Sequence, residues 1–315
     1  MKFIWFSDLH AHLHSNYGNP AERLESCLKI IDLVYDTAIK HGASAILFSG
    51  DMFHKHEGAP TIPQELLHQR VASHDVGIPF LYINGNHDFA TKNLFEAPAL
   101  SSVTYLSRSF SSRVFRVTPA IKLENGAITI HGIDYCDFKE DFAKHLQVVK
   151  SAINPKAFNI LMIHQTPVGV SNPHLSPDVS SEMFSEFDLV LCGHIHKHQV
   201  ISKNLIICGS PLHMDSSEVG EDKFIHVITV DGKTYSIQSI ETGAPKFTRA
   251  MKTEASQPND FYIGIKQEAV EANVSSLNTE GLKDGEILSA YVDHVKPKDL
   301  DMKYLKDLGN YFVSK

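Results

Sequence analysis

The stretch Lys2-Phe3-Ile4-Trp5-Phe6-Ser7-Asp8-Leu9-His10 decides the fold, because it joins an apolar run directly to an Asp-x-His pair. A short run of this kind is typical of a strand that is buried on both faces of a sheet. In open α/β sheets, ligands bind beyond the carboxyl ends of the strands. The stretch therefore predicts an α/β protein whose functional site includes Asp8 and His10.

Four further motifs repeat this arrangement along the chain, each following a short apolar run. They are Gly50-Asp51, Gly85-Asn86-His87-Asp88, His164 and Gly193-His194-Ile195-His196. Because the carboxyl ends of neighbouring strands meet along one rim of a sheet, we expect these polar side chains to lie close together.

The rest of the pattern alternates short apolar runs with longer amphipathic stretches, as an α/β fold does. It predicts a helix over residues 20–40, with its apolar residues on one stripe, and a second helical segment over 64–73. The expected strands are residues 2–6, 45–48, 79–83, 128–131, 159–163, 188–192, 205–208, 224–230 and 235–240.

The pattern loosens between residues 242 and 258, where Gly243, Pro245 and Pro258 occur. We therefore expect a large domain over residues 1–245 and a small α+β cap over residues 246–315. Within the cap, the pattern predicts strands at 261–265 and 287–292 and a helix at 300–311.

Composition excludes some classes of protein. The 43% hydrophobic and 21% charged content is ordinary for a globular protein, and the net charge of −8 argues against a surface that grips nucleic acid all round. The apolar run at the N-terminus is too short for a signal peptide, and no stretch is long enough to cross a bilayer, so we expect a cytoplasmic protein without membrane contact. The four scattered cysteines are expected to be reduced.

Seven side chains in the motifs offer oxygen or imidazole donors: Asp8, His10, Asp51, Asn86, His164, His194 and His196. Such donors suit Mn, Fe or Zn. Two divalent ions about 3.5–4 Å apart need a shared carboxylate, and together they clamp the attacking and leaving oxygens of phosphoryl transfer. Asp51 is the expected bridge, because it stands alone between the Asp-x-His and His-x-His pairs. The ordered set predicts a two-metal phosphoesterase.

His87 stands between a predicted ligand, Asn86, and an acid, Asp88. A histidine in this position can protonate a leaving oxygen or stabilise charge in the transition state. Asp88 would orient and charge its imidazole. We therefore expect both residues to be catalytic, the alternative being that His87 only packs against the turn.

Together, the five motifs resemble those of the calcineurin-like metallophosphoesterases, whose pattern is D-x-H, G-D, G-N-H-[DE], H and G-H-x-H. The resemblance spans roughly residues 1–199. It implies a four-layered α/β/β/α sandwich. It also implies a ligand set, with one metal on Asp8, His10 and His196, the other on Asn86, His164 and His194, and Asp51 bridging them.

Three more features resemble one family within that group, the nuclease subunits of SbcCD complexes and their Mre-eleven relatives. They are Gly50-Asp51-Met52-Phe53-His54, His164-Gln165-Thr166, and Gly209-Ser210-Pro211 followed by acidic residues and Lys223-Phe224-Ile225-His226-Val227. The resemblance implies a Mn-dependent DNA nuclease of repair, recombination or replication. Such an enzyme acts as an exonuclease on double-stranded ends and as an endonuclease on single strands. His54 would help to place the DNA strand.

The same resemblance implies a homodimer that works with an SbcC-like coiled-coil ATPase. Residues 64–73 and 93–100 are candidate dimer surfaces, although Leu66, Leu67 and Val71 can equally belong to the core. Because the region after residue 245 is short for the family, an ATPase would have to dock on residues 300–312 in a reduced form. The compact length suits a bacteriophage-encoded version.

Residues 97–123 contain Arg108, Arg113, Arg116 and Lys122 and no acidic residue. This basic segment is either a phosphate-binding surface or the solvated face of an edge strand.

Two other functions fit part of the pattern. A small-molecule phosphodiesterase acting on cyclic nucleotides or nucleotide diphosphates would use the same ligands, and turnover of a small diester without DNA cleavage would favour it. A non-catalytic scaffold would be expected to lose some ligands, whereas all of them are present.

Overall fold

The computed structural model describes residues 1–14, 20–55, 61–89, 101–170, 179–250 and 261–264. The helices in these ranges are α1 (Pro20–His41), α2 (Thr61–Ser73), α3 (Thr104–Ser109) and α4 (Lys139–Ser151). The strands are β1 (Lys2–Phe6), β2 (Ala45–Phe48), β3 (Phe80–Tyr82), β4 (Val114–Arg116), β5 (Ala120–Leu123), β6 (Ile128–Gly132), β7 (Phe158–His164), β8 (Leu189–Gly193), β9 (Gln199–Val200), β10 (Leu205–Ile207), β11 (Phe224–Asp231), β12 (Thr234–Glu241), β13 (Phe247–Ala250) and β14 (Phe261–Gly264).

Two six-stranded sheets carry the architecture. The first sheet has the order β12-β11-β1-β2-β3-β4 and the second has the order β5-β6-β7-β8-β10-β9, while β13 and β14 form a separate pair. Strands β1 to β4 run parallel in the first sheet, and β6, β7, β8 and β10 run parallel in the second. Antiparallel strands flank each parallel set. The carboxyl ends of each parallel set therefore lie along one rim.

The alternation of side chains along the strands builds three hydrophobic layers. In β1, Ile4 and Phe6 face α1 and α2, whereas Phe3 and Trp5 face the second sheet. In β7, the side chains that do not face the first sheet pack with α4. The order of layers is helix, sheet, sheet, helix, which confirms the predicted α/β/β/α sandwich.

Helix α1 has the apolar stripe along one face that the sequence predicted. Its buried face includes Leu24, Leu28 and Ile31, spaced three or four residues apart. Glu22 lies in its first turn and basic side chains lie in its last, where each complements the helix dipole. Gly42, with φ of +62°, ends the helix in the left-handed conformation that glycine adopts readily.

The segment expected at residues 64–73 begins earlier, as α2. Leu67 and Val71 lie in its buried face and pack in the same core as α1, so they belong to the core and not to a dimer surface. Ile62 and Leu66 of the same helix are exposed. The other candidate dimer surface, residues 93–100, lies outside the described residues.

The sequence pattern missed the helices α3 and α4 and the short strands β4, β5, β9 and β13. Phe142, Leu146 and Val149 form the buried stripe of α4, but its other positions are mostly polar, so its apolar signal is weak. Strands β4 and β5 lie at the edges of their sheets, where partial exposure removes the run of apolar residues that marks a central strand.

The chain divides into two units. One comprises Met1–Arg249 with Ala255–Ile263 and contains both six-stranded sheets; the other comprises Ala250–Glu254 with Gly264–Lys315. Nearly all of the second unit lies outside the described residues, as do the strand predicted at 287–292, the helix predicted at 300–311 and the docking segment at 300–312. The boundary between residues 245 and 246 stays a prediction.

All four cysteines are free and buried. Over the part of the chain that the structure describes, no helix combines the length and the apolar character that crossing a membrane requires.

Candidate metal centre

Five parallel strands bring the motifs to one rim, including β3, which precedes Gly85-Asn86-His87-Asp88. Asp8 and Asp51 follow β1 and β2 of the first sheet, whereas His164 ends β7 and His194 follows β8 of the second. Because the two sheets pack face to face, the rim of one meets the rim of the other. The site therefore forms where the two layers of strands end together.

Besides a group formed by His10, His54 and His87, two groups that consist only of predicted ligands assemble there. In one, the ligand atoms of Asp8, His10 and His196 lie within 4.8 Å of one another; in the other, those of Asp51, His164 and His194 do so. The amide oxygen Oδ1 of Asn86 adjoins the second group, 3.1 Å from Nε2 of His164 and 3.0 Å from Nδ1 of His194. The structure thus brings all seven predicted ligands together, while their binding of metal stays a prediction.

The Asp51 carboxylate lies between the two groups. Its Oδ2 is 3.2 Å from Nε2 of His164 and 3.5 Å from Nε2 of His10, one imidazole from each group. Its Oδ1 accepts a hydrogen bond of 2.8 Å from the backbone N–H of His87. One oxygen therefore holds the turn and the other faces both groups, as a shared ligand must.

Backbone conformation aims several of these side chains. Asp8, His10, Asp51 and His194 have φ values of 53°, 48°, 61° and 81°. Non-glycine residues rarely adopt this left-handed region, and such strain concentrates at functional sites. Hydrogen bonds between the motifs stabilise these left-handed conformations. Asp8 N donates to Gly50 O at 2.9 Å, and His10 N donates to Asp51 O at 3.0 Å.

Two glycines of the motifs permit a close approach. A Cβ on Gly85 would lie 2.1 Å from Oδ1 of Asp51, and a Cβ on Gly193 would lie 2.3 Å from the carbonyl oxygen of Ser49. Neither distance is compatible with a side chain. Glycine therefore precedes Asn86 and His194 because neighbouring turns touch there.

Asp88 holds the turns together. Its carboxylate accepts hydrogen bonds from four backbone N–H groups, those of Asp51 (2.8 Å), Met52 (2.8 Å), Phe53 (3.3 Å) and Gly85 (2.9 Å). Both oxygens therefore hold the backbone of the turns, and the role of Asp88 in orienting and charging the His87 imidazole stays a prediction. Burial, assisted by the nearby Asp51 charge, raises the pKa of Asp88 to about 7 against the opposing effect of these N–H groups.

The carbonyl oxygen of His54 orients the imidazole of His87. Nδ1 of His87 lies 2.5 Å from the carbonyl oxygen of His54, and the two rings are stacked with centroids 5.5 Å apart. The His87 ring also approaches that of His10 at 4.8 Å. A carbonyl oxygen only accepts, so Nδ1 of His87 carries the proton and Nε2 is the nitrogen that can exchange one with a substrate. All three predicted catalytic residues thus lie at the rim.

The carboxylate of Asp51 and the imidazolium of His164 stabilise each other's charged forms. Burial alone would disfavour both charged forms, but their mutual attraction keeps the pKa of Asp51 well below its usual range and raises the pKa of His164 to about 9. Without a metal, the imidazolium of His164 therefore neutralises a buried carboxylate.

Glu218 and Lys223 were not among the predicted site residues, although both adjoin a predicted ligand. Glu218 Oε1 lies 3.0 Å from Nδ1 of His196, and Glu218 Oε2 lies 2.6 Å from Nζ of Lys223. Both Glu218 and Lys223 are buried. Although burial opposes ionisation, the hydrogen bond to His196 and the charge of Lys223 lower the pKa of Glu218 to about 2. A carboxylate of this kind fixes the orientation of a metal-binding histidine. The acidic residues before Lys223 were the available sequence signal.

Two arginines of the basic segment are engaged within the fold. Arg113 is buried and donates to the carbonyl oxygens of His74 (2.6 Å) and Val71 (3.2 Å). Arg116 forms an ion pair with Asp134. Arg113 is therefore held within the fold, whereas Arg108 and Lys122 are exposed.

The donor arrangement fits divalent ions. Metal–ligand bonds of about 2.0–2.2 Å place neighbouring ligand atoms roughly 3–4 Å apart. His10 Nε2 and His196 Nε2 lie 3.1 Å apart, and each group combines one carboxylate with two imidazoles. Two buried carboxylates, Asp8 and Asp51, also favour cations in the space between them.

Residues 1–198 match the model of the calcineurin-like phosphoesterase family. Two relatives, the SbcD components of the SbcCD nucleases of Escherichia coli K12 and of E. coli O157:H7, are each 22% identical over 276 residues, covering 76% of this chain and 68% of theirs. Two crystal structures of Thermus thermophilus proteins, TT1561 and a hypothetical protein, are 13% and 12% identical, with TM-scores of 0.48 and 0.44. They cover 76% of this chain and 98% and 99% of their own.

Members of the matched family bind two divalent metals, and the His and Asp groups at the rim agree with that property. Since the match extends over 198 of its 315 residues, the chain belongs to the calcineurin-like phosphoesterase family and is a metal-dependent phosphoesterase.

Proposed function

We propose that this protein is a two-metal DNA nuclease, an exonuclease on double-stranded ends and an endonuclease on single strands. The observation that carries the proposal is the position of His54, the histidine of the Gly-Asp-x-Phe-His sequence. Its ring stacks on His87 and its carbonyl oxygen accepts from Nδ1 of the same residue, beside the predicted ligand His10. The similarity to the SbcD component of nuclease SbcCD supports the same substrate.

The metal assignment in this proposal follows the two groups. Asp8, His10 and His196 would hold one divalent ion, Asn86, His164 and His194 would hold the other, and Asp51 would be shared. We propose Mn²⁺, while Fe and Zn fit the same donors. Two such ions supply Lewis-acid stabilisation of the charge that develops on the phosphoryl oxygens.

His87 is the proposed general acid. Because its Nδ1–H is directed at the His54 carbonyl oxygen, protonation adds the second proton at Nε2. That proton is the one transferred to the leaving oxygen of the phosphodiester. A histidine is suited to the transfer because its ordinary pKa lies close to neutral pH. The imidazole of His54 would lie against the strand that enters.

We also propose that the nuclease acts as a homodimer with an SbcC-like ATPase in DNA repair, recombination or replication. Support comes from the relatives, which are components of nuclease SbcCD, and from Ile62 and Leu66, apolar side chains that α2 exposes. Sedimentation of the purified chain tests the dimer. A monomer that stays a monomer after mixing with DNA would contradict it.

The nuclease proposal is tested with end-labelled duplex and single-stranded DNA incubated with Mn²⁺, beside a small chromogenic phosphodiester. We expect cleavage of both DNA forms. The matched control is His87→Ala, in which cleavage should fall by about 10²–10⁴-fold. Its bound metal, measured by elemental analysis, should stay the same, and this comparison excludes a contaminating nuclease.

Hydrolysis of the small diester without cleavage of DNA would move the assignment to a small-molecule phosphodiesterase, such as one acting on cyclic nucleotides or nucleotide diphosphates. Failure to hydrolyse either substrate, in a protein that contains its metals, would overturn the nuclease proposal together with this alternative.

A further inference from the structure

A cavity of about 510 Å³ adjoins the metal centre on the side of the second sheet. One wall is the loop that follows β6, including Ile133 and Tyr135, and the other is the stripe of α4 that includes His145 and Val148. Its volume lies in the range of pockets that hold small organic ligands. None of the predicted ligands lines it, so it is a separate feature of the same rim.

The lining of the cavity is largely apolar and aromatic. Phe89, Ile133 and Val149 are buried within it. Phe138 and Val148, by contrast, stand at its edge with 55% and 56% of their surface exposed. Large apolar side chains that remain exposed around a concave site are typical of a ligand-binding surface.

Tyr135 connects the cavity to the metal centre. Its ring lies 5.7 Å from the ring of His194 and 6.2 Å from that of His164, measured between centroids. The loop is tied to the turn of Asn86, since Tyr135 N donates to Asn84 O at 2.9 Å and Asn84 N donates to Asp134 Oδ1 at 2.8 Å. A ligand in the cavity would therefore lie beside the predicted metal ligands His164 and His194.

The charges around the cavity select a neutral ligand. Its lining includes Asp134, Asp137 and Asp141, of which Asp134 is paired with Arg116 and Asp141 with Lys144. Carboxylates repel a phosphate, so the phosphoryl group of a substrate belongs at the metal centre and not here. Asp137 offers a carboxylate that can accept a hydrogen bond from the exocyclic amino group of a base.

We propose that this cavity is a nucleobase subsite, which binds the base of a nucleotide whose phosphate lies at the metal centre. The proposal rests on the proposed function and adds where the substrate is held. An aromatic lining next to a phosphate site suits a base, because every base has a flat face that stacks on aromatic side chains.

The test is direct binding to the Mn²⁺-loaded protein, measured by calorimetry. The two probes are deoxyadenosine 5′-monophosphate and 2-deoxyribose 5-phosphate, of which only the first carries a base. We expect the nucleotide to bind about ten-fold more tightly or better, since stacking of one base contributes ~1–3 kcal/mol. In Phe138→Ala and in Val148→Ser, the ratio of the affinity for the nucleotide to the affinity for the sugar phosphate should be close to one. The affinity for the sugar phosphate itself should be unchanged.

The matched control is Tyr105→Ala, which removes an aromatic side chain of 43% exposure from α3, outside the cavity lining. It should keep the wild-type ratio. A wild-type ratio near one, or a ratio that Phe138→Ala and Val148→Ser both leave intact, overturns the subsite. If the ratio behaves as expected but DNA is not cleaved, the subsite stands for free nucleotides and the nuclease proposal fails.

Discussion

Glu218 accepts the Nδ1 hydrogen of His196 at 3.0 Å and is itself bound by Lys223, so a buried ion pair stands directly behind a predicted ligand. The Lys223 ammonium also donates to the carbonyl oxygen of His196 at 3.1 Å. Two side chains from outside the motif thus hold both the ring and the backbone of one residue. The arrangement directs Nε2 of His196 toward Nε2 of His10.

Glu218→Gln should weaken Mn²⁺ binding by about 10–100-fold, because the ring of His196 loses the carboxylate that orients it. Calorimetric titration of the chelator-treated protein measures the effect. Glu221→Gln is the matched control, since Glu221 also contacts Lys223 (3.1 Å) and is nearby in the chain. An equal loss of affinity in both variants would show that Glu218 acts only through the charge of Lys223.

Metal binding should release a proton from His164. Its pKa of about 9 means that the imidazole is protonated at pH 7, whereas a metal ligand must be neutral. Titrations in two buffers of different ionisation enthalpy should give at least one proton released at pH 7, since the pKa of His196 is also raised, and fewer above pH 9. Release of no proton at pH 7 would contradict the assignment of His164.

The same pKa predicts how the metal-free protein responds to pH. Because the pKa of His164 is raised from 6.5 to about 9 on folding, the stabilisation is complete below pH 6.5 and is lost as the pH rises through about 9. Thermal unfolding of chelator-treated protein should therefore occur at lower temperature at pH 9.5 than at pH 7. Saturating Mn²⁺ should reduce this difference.

The sequence predicted the strands that end in motifs more accurately than the rest of the fold. Buried parallel strands such as β1 and β2 are continuous apolar runs, and their ends are marked by polar residues, so both appear in a single sequence. The helix α4 and the edge strands lack such runs. Their positions depend on contacts with other elements, which local pattern does not contain.

In the candidate site, too, some features could be predicted from local sequence and others could not. Ligand types and their order along the chain are local information, and they indicated which side chains meet. The hydrogen bond between Glu218 and His196 joins residues 22 positions apart, a separation that no local motif marks. The left-handed backbone of Asp8 or Asp51 likewise depends on hydrogen bonds between different motifs. Neither could be predicted before the two sheets were packed together.

Gly85→Ala should damage the metal centre through contact alone. The added Cβ would lie 2.1 Å from Oδ1 of Asp51, so the carboxylate must move, and overpacking of this kind costs about 1–3 kcal/mol of stability. We expect Mn²⁺ affinity to fall at least ten-fold. Gly126→Ala is the control. Its added Cβ would have no atom within 4 Å, so the substitution costs only the strain of an alanine at the Gly126 φ of +92°. Unchanged metal affinity in Gly85→Ala would contradict the close approach.

Asp88→Asn separates a structural role from a catalytic one. In the wild-type protein both carboxylate oxygens accept hydrogen bonds from backbone N–H groups. The asparagine amide keeps only one acceptor oxygen, and its N–H₂ group would face backbone N–H groups that then lack an acceptor. We therefore expect the free energy of unfolding to fall by about 3 kcal/mol. Denaturant titration measures this loss.

If Asp88 only holds the turns, the pH–rate profile of the folded variant should keep the wild-type pKa for the general acid, because Nδ1 of His87 is bound to the His54 carbonyl oxygen and not to Asp88. If Asp88 charged the imidazole of His87, removing its negative charge would lower that pKa by about one unit or more. The two roles of Asp88 differ in the pKa that the pH–rate profile gives and not in the absolute rate. Because partial unfolding lowers only the rate, a partly unfolded variant still distinguishes them.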